Sequence, residues 1–249
     1  MDDGLLLVGL MALAAFLYSS VGHAGASGYL AAMALVGMSA ALMKPTALIL
    51  NVVVASIAAL QFARAGQFSW AIFWPFALSS IPCAFFAGMV PASGHWYRVL
   101  VGVVLAASAA KLLWDTRYGR VDEATELAPK QPRWWVAMSW GALIGTVAGL
   151  TGTGGGIFLS PLLLVMGWGR TRQSGGVAAL FILVNSLAGL LGNYPDINQL
   201  SPWMPVWIAA VVLGGTVGSY LGSRRIAPPV FKRVLAFVLV VAAVKFVAT

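Results

Sequence analysis

Residues 149–156 read GLTGTGGG and interrupt an apolar stretch that resumes as IFLSPLLLVMGW over residues 157–168. A similar interruption, GHAGASG at residues 22–28, precedes YLAAMALVGM at residues 29–38. Non-helical backbone at membrane depth is tolerated only where protein buries it or where it lines a wet cavity. The two stretches therefore predict two interrupted helices, whose breaks have either a packing role or a binding role.

The composition around these breaks is that of a membrane protein with many spans. Of the 249 residues, 60% are hydrophobic and 9% are charged, and the mean hydropathy is +0.90. Soluble domains carry about 25% charged residues. The formal net charge of +8 does not indicate a nucleic-acid partner, because the basic residues lie at the ends of apolar runs, as the positive-inside rule requires. We predict an all-α, multi-pass protein surrounded by the lipid bilayer of the cytoplasmic membrane.

The chain offers little for catalysis or metal binding. Its single cysteine, Cys83, excludes an internal disulfide and a thiolate metal cluster, and its apolar neighbours predict a small buried residue. The N-terminus MDDGLLL lacks the basic region of a signal peptide, so the first apolar run is expected to be a retained helix. We therefore predict no enzyme, no metal and no cofactor. All seven acidic residues fall at termini or in loops: Asp2, Asp3, Asp115, Asp122, Glu123, Glu126 and Asp196.

Ten apolar segments follow one another, and most have the roughly 20 residues that cross the hydrocarbon core. The second and the seventh are short; the seventh, at residues 156–168, reaches only roughly 20 Å as a helix. We expect these two to be broken or re-entrant helices. The segments are 4–21, 28–42, 45–63, 70–90, 97–114, 134–150, 156–168, 176–193, 203–223 and 230–248.

The basic residues predict the orientation. If all ten segments alternate from an outer N-terminus, the outer side receives only Lys44, Arg98 and Lys245 of the 15 Lys and Arg. This asymmetry favours both termini outside, although re-entrant segments would change the parity locally. Lys44 and Arg98 are expected to be interfacial anchors, or to attract anions at the mouth. The inner side receives Arg64, Lys111, Arg117, Arg120, Lys130, Arg133, Arg170, Arg172, Arg224, Arg225, Lys232 and Arg233.

The two halves of the chain resemble each other. At an offset of 134 residues, Asn51 matches Asn185 and Gly88 matches Gly222. Because five segments per half is an odd number, the halves should form an inverted repeat with a pseudo-two-fold axis in the membrane plane. Near the start the offset is 127, and an insertion of seven residues accounts for the difference. There the matched glycines are Gly22, Gly25 and Gly28 with Gly149, Gly152 and Gly155.

This repeat divides the chain into parts of one integrated transmembrane domain. The first repeat covers residues 1–114 and the second covers residues 134–249. Between them, residues 115–133 read DTRYGRVDEATELAPKQPR, and this polar stretch is expected to be a cytoplasmic linker.

The glycine breaks are suited to binding an anion. Both precede a short helix, whose first backbone N–H groups lack partners and carry partial positive charge. Glycine lets an anion approach such amides closely, and nearby hydroxyl, amide and imidazole groups add donors. The predicted substrate-binding residues are His23, Gly25, Ser27, Gly28, Asn51, Thr151, Gly152, Thr153, Gly154, Gly155, Gly156 and Asn185.

Each of these residue types also has a structural interpretation. Glycines in membrane helices serve close packing, and an intramembrane Asn bonds neighbouring helices. His23 is either a packing residue, an anion contact or a proton acceptor. Phosphate-binding motifs are excluded, because neither Lys-Ser nor Lys-Thr follows GLTGTGGG and no βαβ unit flanks it.

At this level the sequence resembles the sulfite exporter TauE/SafE family of membrane proteins over nearly the whole chain. The resemblance rests on GLTGTGGGIFLSPLLLVMG at 149–167, AALFILVNSLAGLLGNY at 178–194 and GGTVGSYLGSRR at 214–225. In the first half, VGHAGASGYLAAM at 21–33 and KPTALILNVVVASIAALQFARAG at 44–66 resemble one branch. The first copy has Ala26-Ser27-Gly28 where the second has three glycines, and it lacks a counterpart of Pro161. The two half-sites are therefore expected to be unequal.

The resemblance implies transport of a small sulfur-containing anion, such as sulfite, a sulfonate or a related organic anion, across the cytoplasmic membrane. We predict a secondary carrier that exports this anion by alternating access. Transport is either uniport or coupled to protons through His23. The alternative function is an anion channel whose pore is lined by the same helix ends. A membrane-embedded enzyme or an assembly factor is a third interpretation, disfavoured by the missing catalytic groups and by the paired glycine breaks.

Overall fold

The computed structural model describes residues 2–92, 94–118, 131–193 and 200–224, together with Val240 and Val244. Within these ranges the chain is helical and forms no β-strand. The helices are α1 (Asp2–Ser19), α2 (Ala26–Leu35), α3 (Ala40–Arg64), α4 (Trp70–Gly88), α5 (Gly94–Tyr118), α6 (Trp134–Thr151), α7 (Gly156–Val165), α8 (Thr171–Gly192) and α9 (Met204–Arg224).

The helices agree with the predicted multi-pass membrane protein. Five of those described, α3, α4, α6, α8 and α9, are long and apolar enough to cross a membrane. α5 continues to Tyr118 and so includes residues that the sequence analysis assigns to the linker. Linker residues 119–130 lie outside the described residues, as does the tenth apolar segment except for helical Val240 and Val244.

The second apolar segment, predicted over residues 28–42, is two helices. α2 ends at Leu35 and α3 begins at Ala40. Gly37 has a left-handed φ of 75°, and the amides of Gly37 and Met38 donate to Ala34 O and Met33 O, each over 3.0 Å. This Schellman arrangement ends α2, because glycine adopts left-handed φ without a steric penalty.

The seventh segment ends in the same way, and its caps define the repeat. Gly167 has a φ of 66°, and its amide donates to Leu164 O over 3.1 Å while the Trp168 amide donates to Leu163 O over 2.8 Å. α7 has ten residues, like α2, and each of its positions lies 130 residues after the matching one in α2. The predicted offset of 127 is therefore wrong by three residues. The shift to 134 then needs four inserted residues, not seven.

The described helices pack around two hydrophobic cores. Each core consists mainly of helices from one half of the chain and includes one long helix from the other half. Core one contains side chains of α1, α2, α3, α5 and α9, with Ile157 and Ile182 at its edge. Core two contains side chains of α4, α6, α7 and α8. The fourth helix of each half therefore packs with the other half.

Glycines spaced four residues apart allow the exchanged helices to pack closely against helices of the other half. A Cβ added to Gly141, Gly145 or Gly149 of α6 would strike the backbone of α4, at Phe76, Ser80 and Ala84 respectively. A Cβ on Gly214, Gly218 or Gly222 of α9 would strike the backbone of α1, at Ala12, Phe16 and Ser20. Both pairs run parallel, since the contacts advance together along the two helices. Small residues at this spacing let helix backbones approach closely.

The boundary between the cores, here called the seam, is centred on α3 and α8. Phe62, near the end of α3, lies beside Gly175 at the start of α8, and Leu48 lies beside Gly189 at its end. α3 and α8 therefore run antiparallel. The other contacts across the seam lie at different positions along this antiparallel pair.

The two ends of the seam differ in charge. At one end, Val21 after α1 and Gln67 after α3 touch the start of α8. Here, at the arginine end, lie Arg64, Arg133, Arg170, Arg172 and Arg224, all predicted for the inner side. At the opposite end, α4 and α8 finish beside the start of α3. The charged side chain described there is Lys44, which gives the Lys44 end its name.

Candidate functional site

The two glycine breaks each begin and end with a left-handed glycine. α1 is followed by Gly22 with φ 79°, and Gly25 with φ 106° precedes α2. α6 is followed by Gly152 with φ 80°, and Gly155 with φ 79° precedes α7. Left-handed backbone is costly for residues with a Cβ. The positions of these four glycines are therefore set by the turn that reverses the chain between a long helix and a short one.

The second break contains one further left-handed glycine, Gly154, with φ 72°. The equivalent residue of the first break is Ala24. A Cβ on Gly154 would lie 2.7 Å from Ile182 Cγ2, 2.9 Å from Ser186 Oγ and 3.1 Å from Asn51 Nδ2. Both the backbone angle and the available space require glycine here. Its absent side chain lets the Asn51 amide lie against the break.

His23 joins the first break to the second. Its ring is 3% exposed, with Nε2 3.0 Å from Gly156 O at the start of α7 and Nδ1 3.1 Å from Val21 O. Carbonyl oxygens only accept hydrogen bonds, and a neutral imidazole has a single N–H. Both contacts form together only when the ring is an imidazolium. The geometry thus accommodates a positive charge between the two breaks.

Asn51 of α3 contacts the second break from the other side of the seam. Its side chain is fully buried, and Nδ2 is 3.5 Å from Gly152 O and 3.4 Å from Ser186 Oγ. These are long hydrogen bonds. Oδ1 is buried and has no hydrogen-bond partner among the described residues. The amide is therefore only partly satisfied by the protein around it.

Asn185 of α8 is also fully buried, but it bonds within its own helix. Its Nδ2 donates to Phe181 O over 2.8 Å. Oδ1 lacks a partner in the part of the chain that the structure describes. The hydrogen bonds of Asn185 do not connect it to either break, in contrast to those of Asn51.

The threonines of the second break bond to each other. Thr151 Oγ1 donates to Val147 O over 2.7 Å and lies 2.8 Å from Thr153 Oγ1. Since the Thr151 hydroxyl proton is used, Thr153 is the donor of the second bond. The Thr153 amide lies 3.4 Å from the same Thr151 oxygen. Both hydroxyls therefore stabilise the turn in this conformation.

Ser27 and Gly28 lie on the side of α2 that faces α1. Ser27 Oγ donates to Tyr18 OH over 2.8 Å, and a Cβ on Gly28 would lie 2.6 Å from Ala14 Cβ. These contacts assign both residues to the packing of α1 on α2. They do not bring either residue to the second break.

The short helices begin without side-chain caps. Neither Gly25 nor Gly155 offers a side-chain hydrogen bond to its helix. The first N–H groups of a helix have no intrahelical acceptor, so they remain available to a ligand and carry the positive end of the helix dipole. A Cβ on Gly155 would lie 2.8 Å from Ile144 Cγ2, so tight packing also favours glycine at this cap.

Comparison with known proteins places the chain in a family. The family model described as sulfite exporter TauE/SafE matches residues 5–246. The chain belongs to the TauE/SafE family. It is also 38% identical over 231 residues to a Sinorhizobium fredii protein described as "Probable membrane transporter protein y4hK", a match that covers 93% of each chain. No solved structure matches the chain significantly.

For this TauE/SafE member, sequence reasoning missed three residues beside the breaks. Tyr97 OH donates to Thr151 O over 3.4 Å, and Ser186 accepts from Asn51. Lys44 is not an interfacial anchor, since its side chain is fully buried. Its Nζ donates to Gly88 O over 2.8 Å and to Val90 O over 2.9 Å. A signal was present, because Lys44 is the only charged residue between positions 4 and 63, and isolated intramembrane charges mark functional positions.

Proposed function

We propose that this protein is a secondary carrier that exports a small sulfur-containing anion, such as sulfite or a sulfonate, by alternating access. Membership of the TauE/SafE family and the printed description of the Sinorhizobium relative support transport across a membrane. The substrate site lies where the two glycine breaks meet. The observation that carries this proposal is the contact of His23 Nε2 with Gly156 O over 3.0 Å, which joins a residue of the first break to the start of α7.

The proposed architecture is an inverted repeat of residues 1–114 and 134–249, joined by a cytoplasmic linker over residues 115–133. The antiparallel run of α3 and α8, together with the exchange of α4 and α9 between the cores, supports this symmetry. The arginine end faces the cytoplasm, as the positive-inside rule predicts. Both termini then lie outside.

The proposed site binds the anion through charge and backbone donors. The imidazolium of His23 supplies positive charge, and the first amides of α2 and α7 supply N–H donors at positive dipole ends. Asn51 adds an incompletely bonded amide, and Asn185 reaches the anion when α8 moves relative to α3. The glycines of the second break, Gly152 and Gly154–Gly156, let the substrate approach the main chain closely. In the first break Gly25 has this role, while Ser27 and Gly28 support the helix behind it.

The membrane potential drives this transport without a carboxylate relay. An inside-negative potential favours the export of one negative charge by about 2.3 kcal/mol per 100 mV. The sequence has no Asp or Glu between residues 4 and 114 or between 131 and 193. Uniport is therefore sufficient, and His23 is the group that would couple a proton.

A flux assay in proteoliposomes tests the proposal. Labelled sulfite, thiosulfate, methanesulfonate and acetate are compared with the wild-type chain, and then with His23→Ala and Asn51→Ala. We expect saturable flux of at least one sulfur anion. At a subsaturating anion concentration, His23→Ala should reduce this flux about tenfold or more, and Asn51→Ala should reduce it about fivefold to tenfold. Ser56→Ala is the matched control on α3, since Ser56 is bonded only to Val52 O of its own helix. Wild-type flux that both variants retain would exclude the assigned site.

The same vesicles separate a carrier from a channel. Only a carrier accelerates labelled efflux when unlabelled anion is added on the opposite side, whereas flux through a channel shows no such stimulation. Binding is measured separately as a concentration-dependent rise of Tm in detergent. A chain that neither binds nor moves any of these anions would overturn the proposed function.

A further inference from the structure

We infer that Lys44 is a gating residue that keeps the Lys44 end of the seam closed. The inference rests on the proposed carrier function. Lys44 lies in the second turn of α3 and is 0% exposed. Its ammonium donates to two carbonyl oxygens, Gly88 O at 2.8 Å and Val90 O at 2.9 Å. Gly88 is the last residue of α4, and Val90 lies two residues after it. The unpaired oxygens at the end of a helix carry partial negative charge and stabilise a cation.

These two hydrogen bonds span the seam. α3 contributes to core one and α4 contributes to core two. The bonds therefore join the cores at the end where α4 and α8 finish. Bonds from an ionised donor are about twice as strong as neutral ones, and they must break if the cores separate at this end.

Lys44 also contacts the second glycine break. A Cβ on Gly152 would lie 3.1 Å from Lys44 O and 3.3 Å from Lys44 Cγ. The stem of the side chain thus packs on the first glycine after α6, while its tip holds α4. A shift of this break on substrate binding would be transmitted directly to the side chain that holds the end closed.

The arginine end is closed by different chemistry. There Gly22 lies against the backbone of Gly175, and Gly176 lies against Gln67 O. At the offset that pairs Asn51 with Asn185, Lys44 corresponds to Ala178. Opening the Lys44 end breaks two lysine hydrogen bonds that an alanine at the corresponding position cannot form. The closure by this side chain is therefore one-sided.

This asymmetry suits an exporter. With the arginine end in the cytoplasm, Lys44 holds the outer end closed while the anion is loaded from the inner side. Alternating access then requires substrate binding to offset the Lys44 contacts. Removing those contacts should shift the population toward the outward-open state even without substrate.

Cysteine accessibility tests the gate without any transported anion. In a Cys83→Ala background, one probe is Leu48→Cys, buried beside Gly189 one turn from Lys44. The second is Val21→Cys, beside Gly175 at the arginine end. Each is labelled with a membrane-impermeant thiol reagent applied to one face of oriented vesicles, in the wild type and in Lys44→Met, Lys44→Gln and Lys44→Arg.

We expect Lys44→Met to accelerate labelling at position 48 from the outer face about tenfold or more, with no acceleration at position 21 from the inner face. Lys44→Arg keeps a charged donor and should stay within about twofold of the wild type. Lys44→Gln keeps one donor group and should be intermediate. If Lys44→Met does not yield folded protein, the comparison of Gln with Arg decides.

Two outcomes would overturn the gate: unchanged labelling at position 48 in every folded variant, or equal acceleration at both positions, which indicates general loosening. Flux is measured on the same preparations. A wild type that transports no anion would refute the carrier function, while the labelling result would still judge the closure by Lys44.

Discussion

The two glycine breaks share left-handed glycines at their first and last positions and differ in the two residues between them. In the first, Gly22 ends α1 with a Schellman arrangement, in which the His23 amide donates to Tyr18 O over 2.9 Å. In the second, the Gly152 amide donates to Ala148 O over 2.9 Å, and the next amide turns to the Thr151 hydroxyl. At offset 130, His23 stands where the second break has Thr153, and Ala24 stands where it has Gly154.

This difference gives the two breaks different roles in the proposed site. The repeated left-handed glycines fix the path of the chain, so they are needed twice. The imidazole is present once, and so is the extra glycine that accommodates the Asn51 amide. In the proposed site, the first break contributes the imidazole and the second contributes bare backbone. The proposed site would therefore contact its ligand asymmetrically.

The largest effect on transport is expected when a side chain is added to the glycine backbone of the second break. Gly154→Ala places a Cβ at a left-handed angle and against Ile182, Ser186 and Asn51. Left-handed strain of roughly 1–2 kcal/mol adds to overpacking of about 1–3 kcal/mol. We expect flux to fall at least tenfold and Tm to fall measurably in detergent. The control is Gly37→Ala, which has φ 75° but open space. Equal losses in both variants would show that the space at the break is unimportant.

The contribution of the first break is tested by His23→Gln. The Gln side chain retains a hydrogen-bond donor but cannot be protonated. Hydrogen bonds to charged groups contribute about 1.5–3 kcal/mol, so flux should fall roughly tenfold or more. Thr153→Ala, at the equivalent position, should lower flux by less than about threefold. A larger effect of Thr153→Ala would reverse the assignment of the two halves.

The two asparagines provide a finer comparison. Asn51→Ala removes contacts that cross the seam, whereas Asn185→Ala removes a bond within α8. We expect Asn51→Ala to raise the half-saturating anion concentration about fivefold to tenfold, in line with a loss of about 1 kcal/mol. Asn185→Ala should raise it about twofold to threefold. The measurement is concentration-dependent flux, and a reversed order would place Asn185 nearer the anion.

The smallest effect is expected for Tyr97→Phe. The phenol donates to Thr151 O over 3.4 Å, which is at the long limit for such a bond. Its removal should cost about 0.5 kcal/mol and leave flux within about twofold. Thermal unfolding in detergent measures the change. A loss as large as that of Asn51→Ala would show that α5 positions the second break.

The sequence predicted the breaks themselves well, because glycine and hydroxyl residues stand out in an apolar chain. It also identified His23 and Asn51 before their contacts were known. It misplaced the end of α2, since hydropathy does not change across Gly37 and the turn depends on a single left-handed angle. The repeat offset of 127 failed for a related reason. Glycines are frequent, and matching letters cannot show which of them cap helices.

Long-range packing was harder to predict than local structure. The burial of Lys44 depends on where α4 ends, which no periodicity in α3 reveals. The exchange of α4 and α9 between the cores was also missed. Its signal was present in the glycines spaced by four in α6 and α9, whose partners become known only when the helices are placed in space.

The parallel pairing of α1 with α9 has a consequence for biosynthesis. The backbone surface of α1 around Ala12, Phe16 and Ser20 is covered by glycines 214, 218 and 222, which are translated about 200 residues later. At roughly 5–20 residues per second, α1 stays in the bilayer for about 10–40 s before its partner exists. Neither half is then a self-sufficient folding unit. If the chain were truncated after the first repeat, α1 would lack α9 and α4 would lack α6 as packing partners. The uncovered surfaces of α1 and α4 would then be exposed to the quality-control machinery of the membrane.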